Sequence, residues 1–362
     1  MSTNTTTSKI ALLGDVHCGA HSSDVDFHDY MAASFSDFFD YLKTNNIKQV
    51  IQLGDLFDVR KHLTTYSINW FKQHVIKPTI DSDIHWYVLI GNHDIYYRES
   101  LKLSSVKELL EEYSQWFTVI DKPGNWLING DTEFLLVPWV CRENSDDVTT
   151  AIKRSISKYC CGHFEFDGFE LYKGHQAKSH MTHSEYSKFN TVFSGHYHYK
   201  STKDNILYTG TPYQLTWVDC NTEKGFHVLD TQTDELGFVR NYRTIYSMIK
   251  LSELPNVNAI NPDDVTKKHV RIVIDVEISS KEDIKLKDLI ASMKPLTIKY
   301  IDQIPSKDDN EQNQVARHDV VSSVPNIIKD YVRNQSTLPS IVRTSELEDI
   351  LLKLYQEAES AS

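Results

Sequence analysis

Lys9-Ile10-Ala11-Leu12-Leu13-Gly14-Asp15-Val16-His17 runs an apolar strand into a glycine and then into two side chains, Asp15 and His17, that can bind a metal ion. The same construction recurs at Leu53-Gly54-Asp55, Ile90-Gly91-Asn92, Cys161-Gly162-His163 and Ser194-Gly195-His196. Glycine permits a sharp exit from a strand and a close approach of backbones, so several strand ends can converge. Ligand sites in α/β sheets gather outside the carboxyl ends of the strands. A single Gly-Asp after a strand is ordinary turn chemistry, whereas five junctions followed by Asp, Asn or His point to one shared site.

Two junctions carry a second candidate two residues on, His17 after Asp15 and His198 after His196. In extended backbone such pairs point the same way, so each pair is expected to face the site. Asp15, His17, Asp55, Asn92, His163, His196 and His198 combine imidazole with oxygen donors and include no thiolate. That mixture suits manganese, iron or magnesium-like six-coordinate ions, and zinc is also compatible. Seven ligands are too many for one ion. They fit two ions sharing a carboxylate, the arrangement that activates water and clamps both oxygens of an in-line phosphoryl displacement. Buried carboxylates need partners or metals, so a purely structural role does not account for the set.

The chain has 362 residues, 40% of them hydrophobic, enough for a large core with appendages. No apolar run approaches the roughly 20 residues of a membrane span. Residues 1–8 form a polar Ser/Thr/Asn stretch without a signal-peptide pattern; it reads as a disordered lead-in, and the protein reads as cytoplasmic. Five cysteines without a CxxC pair argue against a disulfide framework or a thiolate zinc site. The net charge of -12 counts against a large basic nucleic-acid surface, although two divalent cations would reverse the charge locally.

Strands and helices alternate through the first two-thirds of the chain, which predicts a layered α/β core. Strands are expected at Lys9 to Leu13, Val50 to Leu53, Trp86 to Ile90, Phe134 to Val137, Tyr159 to Cys161, Val192 to Phe193 and Ile206 to Tyr208. A hairpin is expected over Phe226 to Asp230 and Gly237 to Arg240. Helices are expected over Val25 to Leu42, Ser67 to Val75 and Leu101 to Trp116. The organisation reads as a catalytic domain over 9–245 and a small α/β cap over 246–304, with a strand at Val270 to Ile278, a helix at Lys281 to Met293 and a strand at Leu296 to Ile301. A polar linker over 305–316 and a helical tail over 317–362 follow.

Asp15-x-His17, Gly54-Asp55-x-x-Asp58, Gly91-Asn92-His93-Asp94, Gly162-His163 and Gly195-His196-x-His198 resemble, in order and spacing, the signature of the calcineurin-like metallophosphoesterases. The resemblance covers roughly Lys9 to Arg240. It implies a two-sheet β sandwich flanked by helices and a pair of divalent metal ions, manganese first, with Mg2+, Fe2+ or Zn2+ as alternatives. It places Asp15, His17, Asp55 and His198 on one ion and Asp55, Asn92, His163 and His196 on the other, with Asp55 bridging. His93 would contact the scissile phosphate or protonate the leaving oxygen, and Asp94 is a candidate to orient His93 or to cap the following turn.

Within that superfamily, Gly54-Asp55-Leu56-Phe57-Asp58 and Tyr208-Thr209-Gly210-Thr211-Pro212-Tyr213-Gln214 are similar to the SbcD-type DNA repair nucleases and their phage recombination-endonuclease relatives. Asp58 agrees with the bacterial type; archaeal and eukaryotic members carry histidine there. The resemblance implies a 3′–5′ exonuclease and single-strand endonuclease acting on DNA in double-strand-break processing and recombination. It also implies an SMC-like, SbcC-type ATPase subunit held by the tail, through Leu347, Ile350, Leu351 and Leu354, and leaves a homodimer open. The alternative is a small-molecule or nucleotide phosphodiesterase of the same superfamily. A scaffold that had lost catalysis would show missing ligands, and none is missing. His175, His180 and His183 read as a loop without a metal, the Arg60-Lys61-His62 run as a solvated loop, and Tyr213 and Trp217 as core rather than base platforms.

Overall fold

The computed structural model describes residues 8–304, apart from 131, 173, 174, 178 and 180, together with positions 347 and 351. The expected N-terminal lead-in, the linker, most of the tail and His180 lie outside the described residues. The described residues from 8 to 274 and from 278 to 301 belong to one compact unit, which holds both large sheets and the site.

Two six-stranded sheets form its centre. The first runs in the order Leu236–Asn241, Lys224–Asp230, Lys9–Leu13, Gln49–Gln52, His85–Leu89 and Phe117–Ile120. Its last four strands are parallel, and the hairpin 224–241 closes it antiparallel. The second runs Ser201–Lys203, Ile206–Tyr208, Thr191–Gly195, Tyr159–His163, Thr132–Val137 and Gly124–Ile128, again parallel at its centre. Strand alternation then builds the layers. Ile10, Leu12, Ile51 and Leu89 meet Phe134, Leu136, Tyr159 and Phe193 between the sheets. Ala11, Leu13, Val50, Trp86 and Val88 face outward onto Phe27, Met31, Phe35, Phe38, Phe39 and Leu42 of the helix Val25–Thr44. On the far face, Leu135, Val137, Cys160 and Val192 cover Val148 and Ile152 of the helix Ser145–Arg154. The result is the expected two-sheet sandwich flanked by helices.

Parallel pairing places the carboxyl ends of the central strands at one edge, so Leu13, Gln52, Leu89, His163 and Gly195 all finish there. A further three-stranded sheet, Tyr246–Lys250, His269–Ile274 and Thr297–Asp302, packs with the helix Ser280–Ser292 around Val270, Ile272, Leu286 and Ile290. That helix starts in a reciprocal cap between Ser279 and Glu282. Among the described residues no helix is long and apolar enough to cross a membrane.

Three local expectations are corrected. Ser100–Ser104 is a strand paired with Ile95–Tyr97, and the helix begins only at Ser105. The cause is Ser104, whose hydroxyl accepts a hydrogen bond from Lys107 N at 3.2 Å and caps the helix start. The helix expected around Ser67 to Val75 is longer: Thr65–Phe71 is α, Lys72–Ile76 widens into a π turn, and Lys77–Asp81 continues as α. Pro78 has no N–H for an interior bond, and the widened turn ahead of it absorbs the mismatch. Finally, Glu170–Tyr172 and His175–Gln176 pair as a ribbon, so strands do lead into the His175 to His183 stretch.

Trp86 is fully buried, and its ring packs against Phe38, Phe39 and Phe117 between helix and sheet. Trp86→Ala should therefore cost about 3–5 kcal/mol in urea unfolding. Trp86→Phe should cost much less, because the indole N–H has no hydrogen-bond partner to lose. A loss below about 1 kcal/mol for the alanine variant would contradict this packing.

Candidate metal centre

The strand ends deliver the predicted residues to one place, though not through extended backbone. His17, Asp55 and His196 have φ of 49°, 53° and 86°, left-handed conformations that non-glycine residues adopt rarely and that cluster at functional sites. The pairs Asp15/His17 and His196/His198 thus face the site because the chain turns there, which corrects the sequence argument. The neighbouring glycines supply room. A Cβ on Gly91 would collide with the backbone nitrogen and Oδ1 of Asp55, one on Gly54 with the His163 ring, and one on Gly195 with Leu53 O and Asp15 Oδ1.

Two clusters of ligand atoms match the expected pair of sites, and a third joins His17 with Asp58 and His93. Asp15, His17 and His198 form one: the Nε2 atoms of the two histidines are 3.0 Å apart, and His198 Nε2 is 3.7 Å from Asp15 Oδ2. Asp55, His163 and His196 form the other, with Asn92. His163 Nε2 and His196 Nδ1 lie 2.9 and 3.0 Å from Asn92 Oδ1. One carboxylate oxygen lies between the two clusters. Asp55 Oδ2 lies 3.3 Å from His163 Nε2 and 3.8 Å from His17 Nε2.

Tautomers are set by outer partners. His163 Nδ1 donates to Leu53 O at 2.7 Å, which leaves Nε2 with its lone pair toward the cluster. His93 donates its backbone N–H to Asp55 Oδ1 at 2.7 Å, and its Nδ1 lies 2.6 Å from Asp58 O. With that proton on Nδ1, Nε2 is left for other work. Asp94 does not orient His93: its carboxylate accepts from Gly91 N, Phe57 N and Leu56 N at 2.8, 3.1 and 3.3 Å. It is a buried clamp on two ligand-bearing loops, and Asp58 supplies the group that holds His93.

Charge explains why these groups need a cation. Burial pushes the Asp15 carboxyl up to about 6. Burial also opposes the ionisation of Asp55, but the His163 and His93 imidazoles outweigh it and hold the carboxyl well below the usual range. Burial works against a proton on His163 and on His17 as well; Asp55 outweighs it at the first and Asp58 at the second, raising both to about 9. Burial drives His196 down to about 3 and holds His198 well below the ordinary imidazole value. Protons on His17 and His163 thus do what a divalent ion would do. The Asn92 amide fits the same account. With its oxygen inward it adds a third acceptor to two imidazoles, as a cation requires; reversed, it would donate to Asp55, His163 and His196 and accept from Arg60. The donor set fits two divalent ions.

Several contributors carry no sequence signal of their own. Gln52, fully buried, donates to Gly54 O at 2.6 Å and Gly14 O at 3.3 Å and accepts from Gly54 N at 3.1 Å, tying two ligand loops together. Lys224, buried and paired with Asp219, donates to His198 O at 2.8 Å. The Trp139 ring walls the site 5.2 Å from His196 and 5.8 Å from His163. Tyr213 is core, its hydroxyl donating to Val16 O at 2.6 Å, and Trp217 packs on Tyr246. His183 faces Asp204 at 3.7 Å and joins no metal-competent cluster among the described residues.

Gln52→Leu should keep the apolar volume but leave three buried backbone groups unpaired. Manganese affinity, read by titration calorimetry, should fall about 10–100-fold, with an unchanged circular dichroism spectrum. An affinity within about twofold of wild type would show that Gln52 does not position the ligand loops.

The family model for calcineurin-like phosphoesterases matches residues 8–200. Exonuclease subunit 1 of Enterobacteria phage T4 is 31% identical over 357 residues, 97% of this chain and 99% of that protein. Among solved structures, a dimetal phosphatase from Danio rerio aligns over 65% of this chain and 96% of its own, with 11% identity and a TM-score of 0.42. GAP50, the anchor in the inner membrane complex of Plasmodium, aligns over 65% and 89%, with 10% identity and a TM-score of 0.36. The chain belongs to the calcineurin-like phosphoesterases, a family of metal-dependent enzymes that work with two divalent ions.

Proposed function

We propose that this protein is a DNA nuclease that hydrolyses phosphodiesters at two divalent metal ions, manganese first, as the catalytic subunit of a complex that processes double-strand breaks. The observation that carries the reading is the position of Asp55 Oδ2 between two clusters of convergent ligand atoms. Asp15, His17, Asp55 and His198 would hold one ion, and Asp55, Asn92, His163 and His196 the other. The polynucleotide substrate is supported by the likeness to a phage protein named as an exonuclease subunit along nearly its whole length.

Bound there, two divalent ions supply an activated water and neutralise charge on the phosphate. The chain does the rest. Asp94 and Gln52 hold the loops that carry Asn92 and Asp55 in register. Trp139 packs its ring against His196 and His163 on one side. His93, oriented by Asp58 O and Asp55, would give a proton to the leaving oxygen from Nε2 only as the imidazolium, a form that burial disfavours and the Asp55 carboxylate favours.

The word "subunit" in the relative's name and the net charge of -12 together favour a partner. Affinity for duplex rests mainly on neutralised phosphates, so this chain gains from a second protein that grips DNA. An SMC-like ATPase docked on the tail, 317–362, fits that need.

Asp15→Asn and His198→Ala should abolish hydrolysis with manganese present, whereas His93→Ala should keep both ions and lose about 100-fold or more in turnover. Metal analysis showing an ion missing from the His93 variant would make His93 a ligand. Deleting 336–362 should leave cleavage of short single strands but end co-purification with the ATPase and ATP-stimulated cutting of duplex ends. A full-length protein that ignores DNA and prefers mononucleotide esters would overturn the nuclease reading.

A further inference from the structure

An open groove of about 330 Å³ runs beside the metal centre, between the loop that follows Asp58 and the hairpin of Ile95–Tyr97 with Ser100–Ser104. Leu63, Ile68, Leu103 and Leu109 give it an apolar lining, and Tyr96, 39% exposed, forms one side. Arg60 marks the end nearest the metals, with Nη2 3.2 Å from the outer atom of the Asn92 amide.

Charge around Arg60 is unusual. Arg98, in the turn of the hairpin, brings a second positive charge near it. The arginine ion pairs among the described residues are those of Arg240 and Arg243; Arg60 feels the negative charge of Asp55 without pairing with it. When the Asn92 oxygen turns inward, its amide N–H groups face Arg60 donor against donor. Two guanidinium groups outside any ion pair at the rim of an acidic site suit an anion with several acceptor oxygens, and Arg–phosphate pairing is strong and directional. Next to them, Tyr97 is 60% exposed and its ring lies 4.8 Å from that of Tyr96. Exposed aromatic rings beside arginines are a platform for single-stranded nucleic acid, since every base has a stacking face.

We propose that this groove is the subsite for the nucleotide adjoining the scissile phosphate, with the base against Tyr96 and the flanking phosphate held by Arg60 and Arg98. The assignment rests on the nuclease reading and adds to it where the substrate strand lies. Glu108, also on the groove wall, disfavours phosphate there, which leaves the Arg60 end for the phosphate and the tyrosine wall for the base.

The test compares a short single-stranded oligonucleotide with bis(p-nitrophenyl) phosphate, a diester that has neither base nor flanking phosphate. Tyr96→Ala and Arg98→Ala should each lower kcat/KM on the oligonucleotide about tenfold, mainly through KM. That loss should exceed the loss on the aryl diester at least about fivefold, and Tyr96→Phe should restore most of it. Anisotropy of a labelled oligonucleotide in calcium should show the same weakening of binding for the alanine variants. An abasic residue next to the cut should impair the wild type but not Tyr96→Ala further. Equal losses on both substrates, or none on the oligonucleotide, would overturn the subsite while leaving the nuclease reading in place. A wild-type protein that cleaves the aryl diester but no oligonucleotide would overturn both.

Discussion

The structure depends on keeping the Asp55 carboxylate ionised in a place with almost no solvent. Its Oδ2 faces His163 and His17 at 3.3 and 3.8 Å, and its Oδ1 accepts the His93 N–H. Removing a carboxylate from water costs several kcal/mol, roughly, unless charge and hydrogen bonds replace the solvent. The surrounding chain is arranged to make that replacement. Gly54 and Gly91 lack the Cβ that would occupy the space of the His163 ring and of Asp55 itself. Asp55 takes a left-handed backbone conformation, uncommon for a residue with a side chain though less so for Asp than for most. Such strain persists only where the surrounding structure over-determines it.

The sandwich provides that determination. Parallel strands from both sheets end at one edge, and each ending loop is tied to another: Gln52 joins the Gly14 and Gly54 loops, Asp94 joins the Asn92 and Asp55 loops, and the His196 N–H reaches both oxygens of Asp15. Rigid strands with loops cross-linked by buried polar groups form a preorganised site. The same contacts explain the charges. Opposed carboxylates and imidazoles raise His17 and His163 and depress Asp55, an arrangement that divalent ions relieve by taking the place of protons.

The junctions of strand, glycine and ligand were legible because the chemistry repeats: Asp15, Asp55, Asn92, His163 and His196 each follow a glycine at a strand end. Their meeting in one place was an inference from that repetition, and the parallel strands account for it. The backbone geometry was not legible. Side chains two apart in His17 and His198 point inward through turns with positive φ, and nothing in local composition marks a left-handed Asp or His. Nor could single positions reveal Gln52 or Lys224, which read as ordinary strand residues until their partners 38 and 26 positions away are known. Asp94 shows the same limit from the other side. Its place beside His93 suggested a bond to that ring, whereas tertiary contact gave the role to the Asp58 carbonyl. Ser100–Ser104 shows how a tertiary pairing and one capping serine override an apparent helical spacing.

The central claim is that one carboxylate, Asp55, is shared by two ions. Electron paramagnetic resonance of the protein titrated with manganese tests it most directly, because a shared ligand transmits exchange coupling between the two spins. The account predicts that the spectrum of a coupled pair grows in as the second equivalent binds, and that Asp55→Asn gives signals of separate ions alone. A wild-type spectrum of isolated, uncoupled manganese at saturation would contradict a centre built around a shared Asp55.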